Sequence, residues 1–243
     1  MQLKSIFKRS KRARRRTKAR VDLCDDTLTG SLFNDVSSQQ IACDLRACIE
    51  KRRWEEVLLI LESEENDTAF EATTLTDFES GDNILHLACK NYPPLDVVAL
   101  IIAKLPNLAK ETNHREQYAL HYAAQWGACP EVVHLILKAN QLAVKQKDID
   151  DRTPLLLACK DYKTNQNCLD CSHSSRQAIA STIKILAKSF PGAANLEDNK
   201  NLSCIEYAII SGFELSIVRF IQKASCLEWK RQKEAKRTSS ETQ

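Results

Sequence analysis

Glycine and proline are scarce in this chain, 5 and 6 in 243 residues. Collagen-like and low-complexity architectures need far more of both, and so do β-rich folds full of tight turns, so a helical body is expected. Long hydrophobic runs are missing too. The longest, Val97 to Ala103, has seven residues, against the roughly 20 that cross a bilayer. Also missing are a glycine-rich phosphate loop, a GxSxG elbow and an HExxH helix. Only five histidines are available as general bases, so no catalytic constellation assembles and a non-enzymatic role is expected, with no cofactor.

Charge of one sign is absent from two stretches. Residues 1–20 hold ten Lys/Arg and no acid, and Leu61 to Ser80 holds seven Asp/Glu and no base. The net charge of +3 therefore hides a segregation: the other 223 residues carry 25 Lys/Arg against 32 Asp/Glu, a net of −7. A second basic cluster, Lys230, Arg231, Lys233, Lys236 and Arg237, lies near the C-terminus. The basic start runs into Val21-Asp22-Leu23-Cys24-Asp25 instead of an apolar segment with a small-residue cleavage site, so a reducing compartment is expected. Ten cysteines then read as buried small apolar residues, metal ligands or free thiols before they read as disulfides.

What the chain does have is an internal repeat. Ile84-Leu85-His86-Leu87-Ala88 recurs as Ala119-Leu120-His121-Tyr122-Ala123, as Pro154-Leu155-Leu156-Leu157-Ala158 and as Cys204-Ile205-Glu206-Tyr207-Ala208. The alanines are 35, 35 and 50 residues apart, which places a 15-residue insertion in the third unit. Ten residues after an alanine an apolar stripe opens, at Val98, Val133 and Val218, and at Ile183 once the insertion is allowed for. Ala47 with Val57 marks a degenerate first helix pair. Each unit reads as a short helix, a turn and a second amphipathic helix. Thr153 and Pro154 are a helix start signal, since proline at the first helical position lacks only an N–H that was unpaired anyway. Two residues before that N-cap slot stand Gly81, Glu116, Asp151 and Asn201. A tight turn there demands positive φ, which three of the four tolerate readily.

The sequence resembles the ankyrin-repeat family. The resemblance is carried by Thr153-Pro154-Leu155 with Ala158, by Leu85-His86-Leu87-Ala88 and Leu120-His121-Tyr122-Ala123, and by Gly127 and Gly212 between helices. It implies an all-α solenoid of stacked helix-turn-helix units with short turn fingers. A basic arm, 1–37, expected to be disordered, precedes the repeat domain, 38–225: a cap, 38–80, then repeats near 81–115, 116–150, 151–200 with an insertion at 163–178, and 201–225. A basic tail, 226–243, follows. The units run to 35 residues where the family has about 33, and Leu156 and Glu206 replace the repeat histidine.

The resemblance also implies where a partner would dock. The family's variable positions fall on Glu79, Ser80, Asp82, Lys90 and Asn91; on His114, Arg115, Gln117, Gln125 and Trp126; on Ile149, Asp150, Arg152, Lys160 and Asp161; and on Asn199, Lys200, Leu202, Ile210 and Ser211. Trp126 fits the profile of an aromatic anchor, although it could equally pack against a neighbouring repeat. His86 and His121 fall at the family's helix start, where the ring is expected to bond turn backbone, and His134 is expected at the surface.

Cys48, Cys89 and Cys159 each follow a marker alanine and read as core residues. The remaining thiol motif, Cys168-Leu169-Asp170-Cys171-Ser172-His173, lies in the insertion and supplies three ligands where structural zinc wants four. No metal is expected, with Cys168, Cys171 and His173 a weak candidate set. The arm residues Lys8, Arg9, Lys11, Arg12, Arg14, Arg15, Arg16, Lys18 and Arg20 read as a nuclear localisation signal or a nonspecific, salt-sensitive nucleic-acid patch. An organelle presequence is the alternative. The expected function is that of a scaffold or adaptor binding an unidentified protein through the concave face. A nuclear import receptor and nucleic acid are further partners the arm could engage, in the nucleus or the cytoplasm.

Overall fold

The computed structural model describes residues 32–63, 76–160 and 174–240. Among them ten α-helices run in pairs. The first pair is α1 (Leu32–Glu50) and α2 (Trp54–Glu62); then come α3 (Ile84–Lys90) with α4 (Leu95–Lys104), and α5 (Ala119–Gln125) with α6 (Pro130–Ala139). The last two pairs are α7 (Pro154–Lys160) with α8 (Ser174–Ser189), and α9 (Cys204–Ile210) with α10 (Leu215–Ser240). Single 3₁₀ turns at Pro106–Ala109, Gln141–Lys145 and Pro191–Asn195 follow α4, α6 and α8.

Seven-residue helices such as α3, α5, α7 and α9 are too short to be stable alone in water. They persist because each stacks on the next: α1, α3, α5, α7 and α9 form an inner layer in that order, and α2, α4, α6, α8 and α10 an outer one. The marker alanines Ala88, Ala123, Ala158 and Ala208 are all buried, as are Val57, Val98, Val133, Ile183 and Val218. Small and branched residues thus occupy the seam along the whole array, giving one continuous core. Cys48, Cys89 and Cys159 are buried in that seam as free thiols.

A finger precedes each of α3, α5, α7 and α9, and in the last three one polar residue organises it. Asn113 Oδ1 accepts from the Arg115 and Gln117 amides, Asp148 Oδ1 from the Asp150 and Arg152 amides, and Asp198 Oδ1 from the Lys200 and Leu202 amides. In the first, Asp77 Oδ2 accepts from the Ser80 amide instead. The turns put Gly81, Glu116, Asp151 and Asn201 at φ of 70°, 58°, 62° and 58°. Glu116 therefore joins the three residues that tolerate the left-handed region, held there by the Asn113 side chain on either side of it. Adjacent fingers are laced by backbone bonds, His114 N–H to Ser80 O at 3.0 Å, Ile149 N–H to Arg115 O at 3.2 Å and Asn199 N–H to Asp150 O at 3.1 Å.

Two boundaries differ from the sequence reading. Helix α1 begins at Leu32, inside the stretch assigned to the arm; once Leu45 and Ile49 anchor it, each further turn adds a hydrogen bond at small entropic cost. Helix α10 continues to Ser240, through most of the expected tail. Residues 226–240 contain no Gly or Pro to stop it and are rich in Lys, Arg, Glu and Ala, which favour helix. Helix α8 starts at Ser174, so the end of the 163–178 insertion is helical; 161–173 lie outside the described residues.

Candidate functional site

A buried polar chain runs between the fingers. Asp82, only 9% exposed, accepts from Tyr122 Oη at 2.8 Å and from Asn113 Nδ2 at 2.7 Å, which ties the first repeat to the second. Gln117 Nε2 donates to Asp148 Oδ2 at 2.8 Å, tying the second to the third. Arg152 clamps Asp148 through Nε and Nη2, at 2.9 and 2.7 Å, and also pairs with Asp150. Asp150 in turn takes Arg115 Nη2 at 2.9 Å from one neighbouring finger and Asn199 Nδ2 at 3.2 Å from the other. Burial pushes the Asp148 carboxyl up, but the Arg152 guanidinium and amide and the Gln117 amide outweigh it and hold it below the usual range.

This arrangement corrects three of the expected contact residues, and Ser211, 5% exposed and donating to Lys160 O at 3.3 Å, is a fourth. Asp82, Gln117 and Arg152 are buried and spend their polar atoms within the fold, because a charged or amide group can enter the stack only when fully bonded. They hold the fingers; they do not present themselves to a partner.

The histidines belong to the same machinery. Asn83 N–H donates to His86 Nδ1 while His86 Nε2 lies 2.8 Å from Gln117 O; Tyr118 N–H donates to His121 Nδ1 while His121 Nε2 lies 3.2 Å from Gln146 O. His121, whose Nε2 faces a carbonyl and whose Nδ1 accepts an amide proton, is the neutral Nε2–H tautomer; at His86 the Asn83 Oδ1 also lies 2.7 Å from Nδ1. Burial lowers both pKa values, that of His121 to about 4. In the fourth repeat Glu206 takes over the local half of that task, accepting the Ser203 amide at 2.7 Å. His134 is exposed on α6.

The exposed residues that remain come together at the C-terminal ends of the inner helices. Lys90 Nζ sits 5.6 Å from the centre of the half-buried Trp126 ring, and Lys160 Nζ sits 5.9 Å from the Tyr207 ring. In both pairs a lysine of one repeat covers an aromatic of the next. Trp126 thus packs on its neighbour and still faces solvent. Gln125 is half-buried beside it, and Asn91 donates back to Leu87 O at 2.9 Å. Ile210 is 59% exposed in the slot that holds Lys90, Gln125 and Lys160 in earlier repeats. On the fingers, Lys200 and Arg115 are exposed, and His114 Nδ1 contacts Glu79 O at 3.0 Å.

Tyr122, Tyr207, Asn113, Asp148 and Asp198 were not among the expected residues. A polar residue five positions before three of the four N-cap slots was the available signal, since Asn and Asp there favour a turn capped by their own side chain. Asp161, the arm residues from Lys8 to Arg20, and Cys168, Cys171 and His173 lie outside the described residues. Among the described residues no cluster of His, Cys, Asp and Glu is arranged to hold a metal ion, and no helix is long and apolar enough to cross a membrane.

A family model for ankyrin repeats, in three copies, matches residues 85–171. No curated protein matches the chain. Repeats of this family generally mediate protein–protein interaction and are typically non-catalytic. The matched segment runs from α3 past α7, and the flanking helix pairs continue the same inner and outer layers in register. Residues 85–171 are ankyrin repeats, and the helix pairs on either side extend the same array.

Proposed function

We propose that this protein is a non-catalytic scaffold or adaptor whose concave face, centred on Trp126 and Lys90, binds a protein partner. The observation that carries the reading is the pairing of Lys90 with a half-exposed Trp126 above a buried polar chain that fixes the fingers. A rigid aromatic anchor flanked by cations, already held in place, loses little entropy on binding and matches the composition of binding hot spots. Gln125, Lys160, Asn91, Arg115, His114, Asp150 and Lys200 would complete the contact.

Affinity capture with wild type, Trp126→Ala and Lys90→Glu tests it. The expected result is a partner retained by wild type and lost, or weakened at least tenfold, with Trp126→Ala while the melting curve changes little. Captured proteins that ignore both substitutions would put the binding surface elsewhere.

The ten cations in residues 1–20 support a second reading, in which the arm engages nucleic acid or an import receptor while the repeats recruit a protein. Replacing Arg12, Arg14, Arg15 and Arg16 by Gln in the full chain separates the two. Reduced RNA or DNA affinity with a flatter salt dependence supports the arm reading; unchanged affinity removes it.

A further inference from the structure

The outer layer carries a charge pattern that the concave face does not use. Eleven residues after each marker alanine, allowing for the insertion, stand Ala99, His134, Lys184 and Arg219; one turn further along the helix stand Ala103, Lys138, Lys188 and Lys223. The six from the last three repeats are all exposed. Among the described residues none of them forms an ion pair, whereas Arg115, Lys147 and Arg152 on the fingers all do. Residues four apart on a helix are about 6 Å apart along it, and packed helices are about 8–10 Å apart. The fold therefore assembles, from three separate helices, two rows that hold five cations and His134 on its outer layer, in a chain whose net charge beyond residue 20 is −7.

Exposed apolar side chains border the rows on both sides. Leu215, 71% exposed, lies at the start of α10 one turn before Arg219, and Leu227, 56% exposed, lies one turn past Lys223 on the same helix; Leu142, 67% exposed in the 3₁₀ turn after α6, lines one surface pocket with His134 and Lys138. Trp229 is 58% exposed further along α10. Acid stands at the margins: Glu131 precedes His134 on α6, Glu214 precedes α10, and Glu228 follows Lys223 on α10 with Arg231 as its partner.

We propose that this outer-layer face docks on an anionic phospholipid surface, the cations meeting headgroup phosphates and carboxylates and the bordering leucines entering the interface. The site is independent of the concave face. Two features favour lipid over nucleic acid. Four of the five cations are Lys, which act as point charges, where arginine's planar fork is the usual choice for gripping individual phosphates. The exposed leucines gain nothing against a sugar-phosphate backbone but do gain by partial burial at a bilayer interface.

The test is co-sedimentation of the full chain with phosphatidylcholine vesicles, with or without 30% phosphatidylserine, beside binding to a duplex DNA and to poly-glutamate. All measurements are made in an Arg12, Arg14, Arg15, Arg16→Gln background so that the arm does not dominate. Binding to the phosphatidylserine vesicles only is expected, weakened by salt. Lys184→Glu with Lys188→Glu should weaken it by roughly 25-fold or more, at about fivefold for each cation lost near an anionic surface. Leu142→Ser with Leu227→Ser should weaken vesicle binding severalfold and leave any DNA binding unchanged. Vesicle binding that ignores the lysine reversals, or ignores the leucine changes, overturns the proposal. So does binding to DNA or poly-glutamate that is tighter than to vesicles and is the one lost on lysine reversal.

Discussion

At the scale of single residues, backbone conformation is what the repeat demands, and side chains are recruited to meet it. Gly81 meets it without cost; a Cβ there would lie 2.6 Å from His114 Cδ2 and 2.8 Å from the His114 backbone nitrogen. Glu116 meets it against preference, at φ 58°. A non-glycine residue in the left-handed region costs about 1–2 kcal/mol, of which glycine's greater unfolded freedom would cancel about half. Glu116 is exposed, so its side chain is not needed for packing. Glu116→Gly is therefore expected to stabilise by about 0.5–1 kcal/mol, and Gly81→Ala to destabilise by more than that; denaturant midpoints at unchanged slope would check both. The requirement for positive φ was legible because it recurs at a fixed offset from the N-cap. That Asn113 holds Glu116 in place was not, since an Asx bond depends on side-chain geometry that spacing alone does not determine.

At the scale of elements, register predicts burial well and exposes one misfit. The slot occupied by Val97 on α4, Val132 on α6 and Ile217 on α10 is taken on α8 by Thr182, which is 1% exposed. Its hydroxyl is buried with no hydrogen-bond partner among the described residues. An unsatisfied buried polar group costs about 1–3 kcal/mol, and valine has nearly the same shape. Thr182→Val is expected to raise stability by about 1 kcal/mol, a rise of about 2–4 °C in Tm by calorimetry. A fall in Tm would mean that the hydroxyl has a partner in solution. The helix ends were less legible than the middles. Both α1 and α10 overrun the boundaries read from sequence; at α10 this is because a charged, glycine-free stretch looks like a solvated tail whether or not a packed helix precedes it.

At the scale of the whole molecule, stability is distributed over joints between neighbouring repeats, and several joints depend on groups that titrate. His86 and His121 bridge from their own helix start to the next repeat, and burial disfavours their charged forms and holds both pKa values below the ordinary 6.5, that of His121 at about 4. The unfolded chain binds protons at these rings below about pH 6.5 while the folded chain does not, so stability falls as pH drops from about 6.5 toward 4. His121 alone should account for about 3 kcal/mol of that loss by pH 4. Asp148, held low by Arg152, adds to the loss as pH falls further. Urea titrations at pH 7, 5.5 and 4.5 should show the decline, and His121→Gln should flatten it while lowering stability at pH 7. A wild-type midpoint that does not move across this range would contradict the neutral bridging role.

The array of helix pairs, its 35-residue period, the interrupted third unit and the buried positions were determined by the sequence alone, because stacking repeats the same packing problem and leaves the same residues at the same offsets. The division of surface from scaffold was decided only by tertiary structure. Asp82, Gln117 and Arg152 occupy offsets that face a partner elsewhere in the family, yet they are buried here because Tyr122, Asp148 and Asp150 are placed to bond them. Those partners lie up to 40 residues away in the chain. The same holds on the outer layer, where Lys184 and Arg219 are 35 residues apart in sequence and become neighbours only when the outer helices stack. Periodicity reports what each repeat shares; contacts between unlike side chains on adjacent repeats arise only once they are packed together.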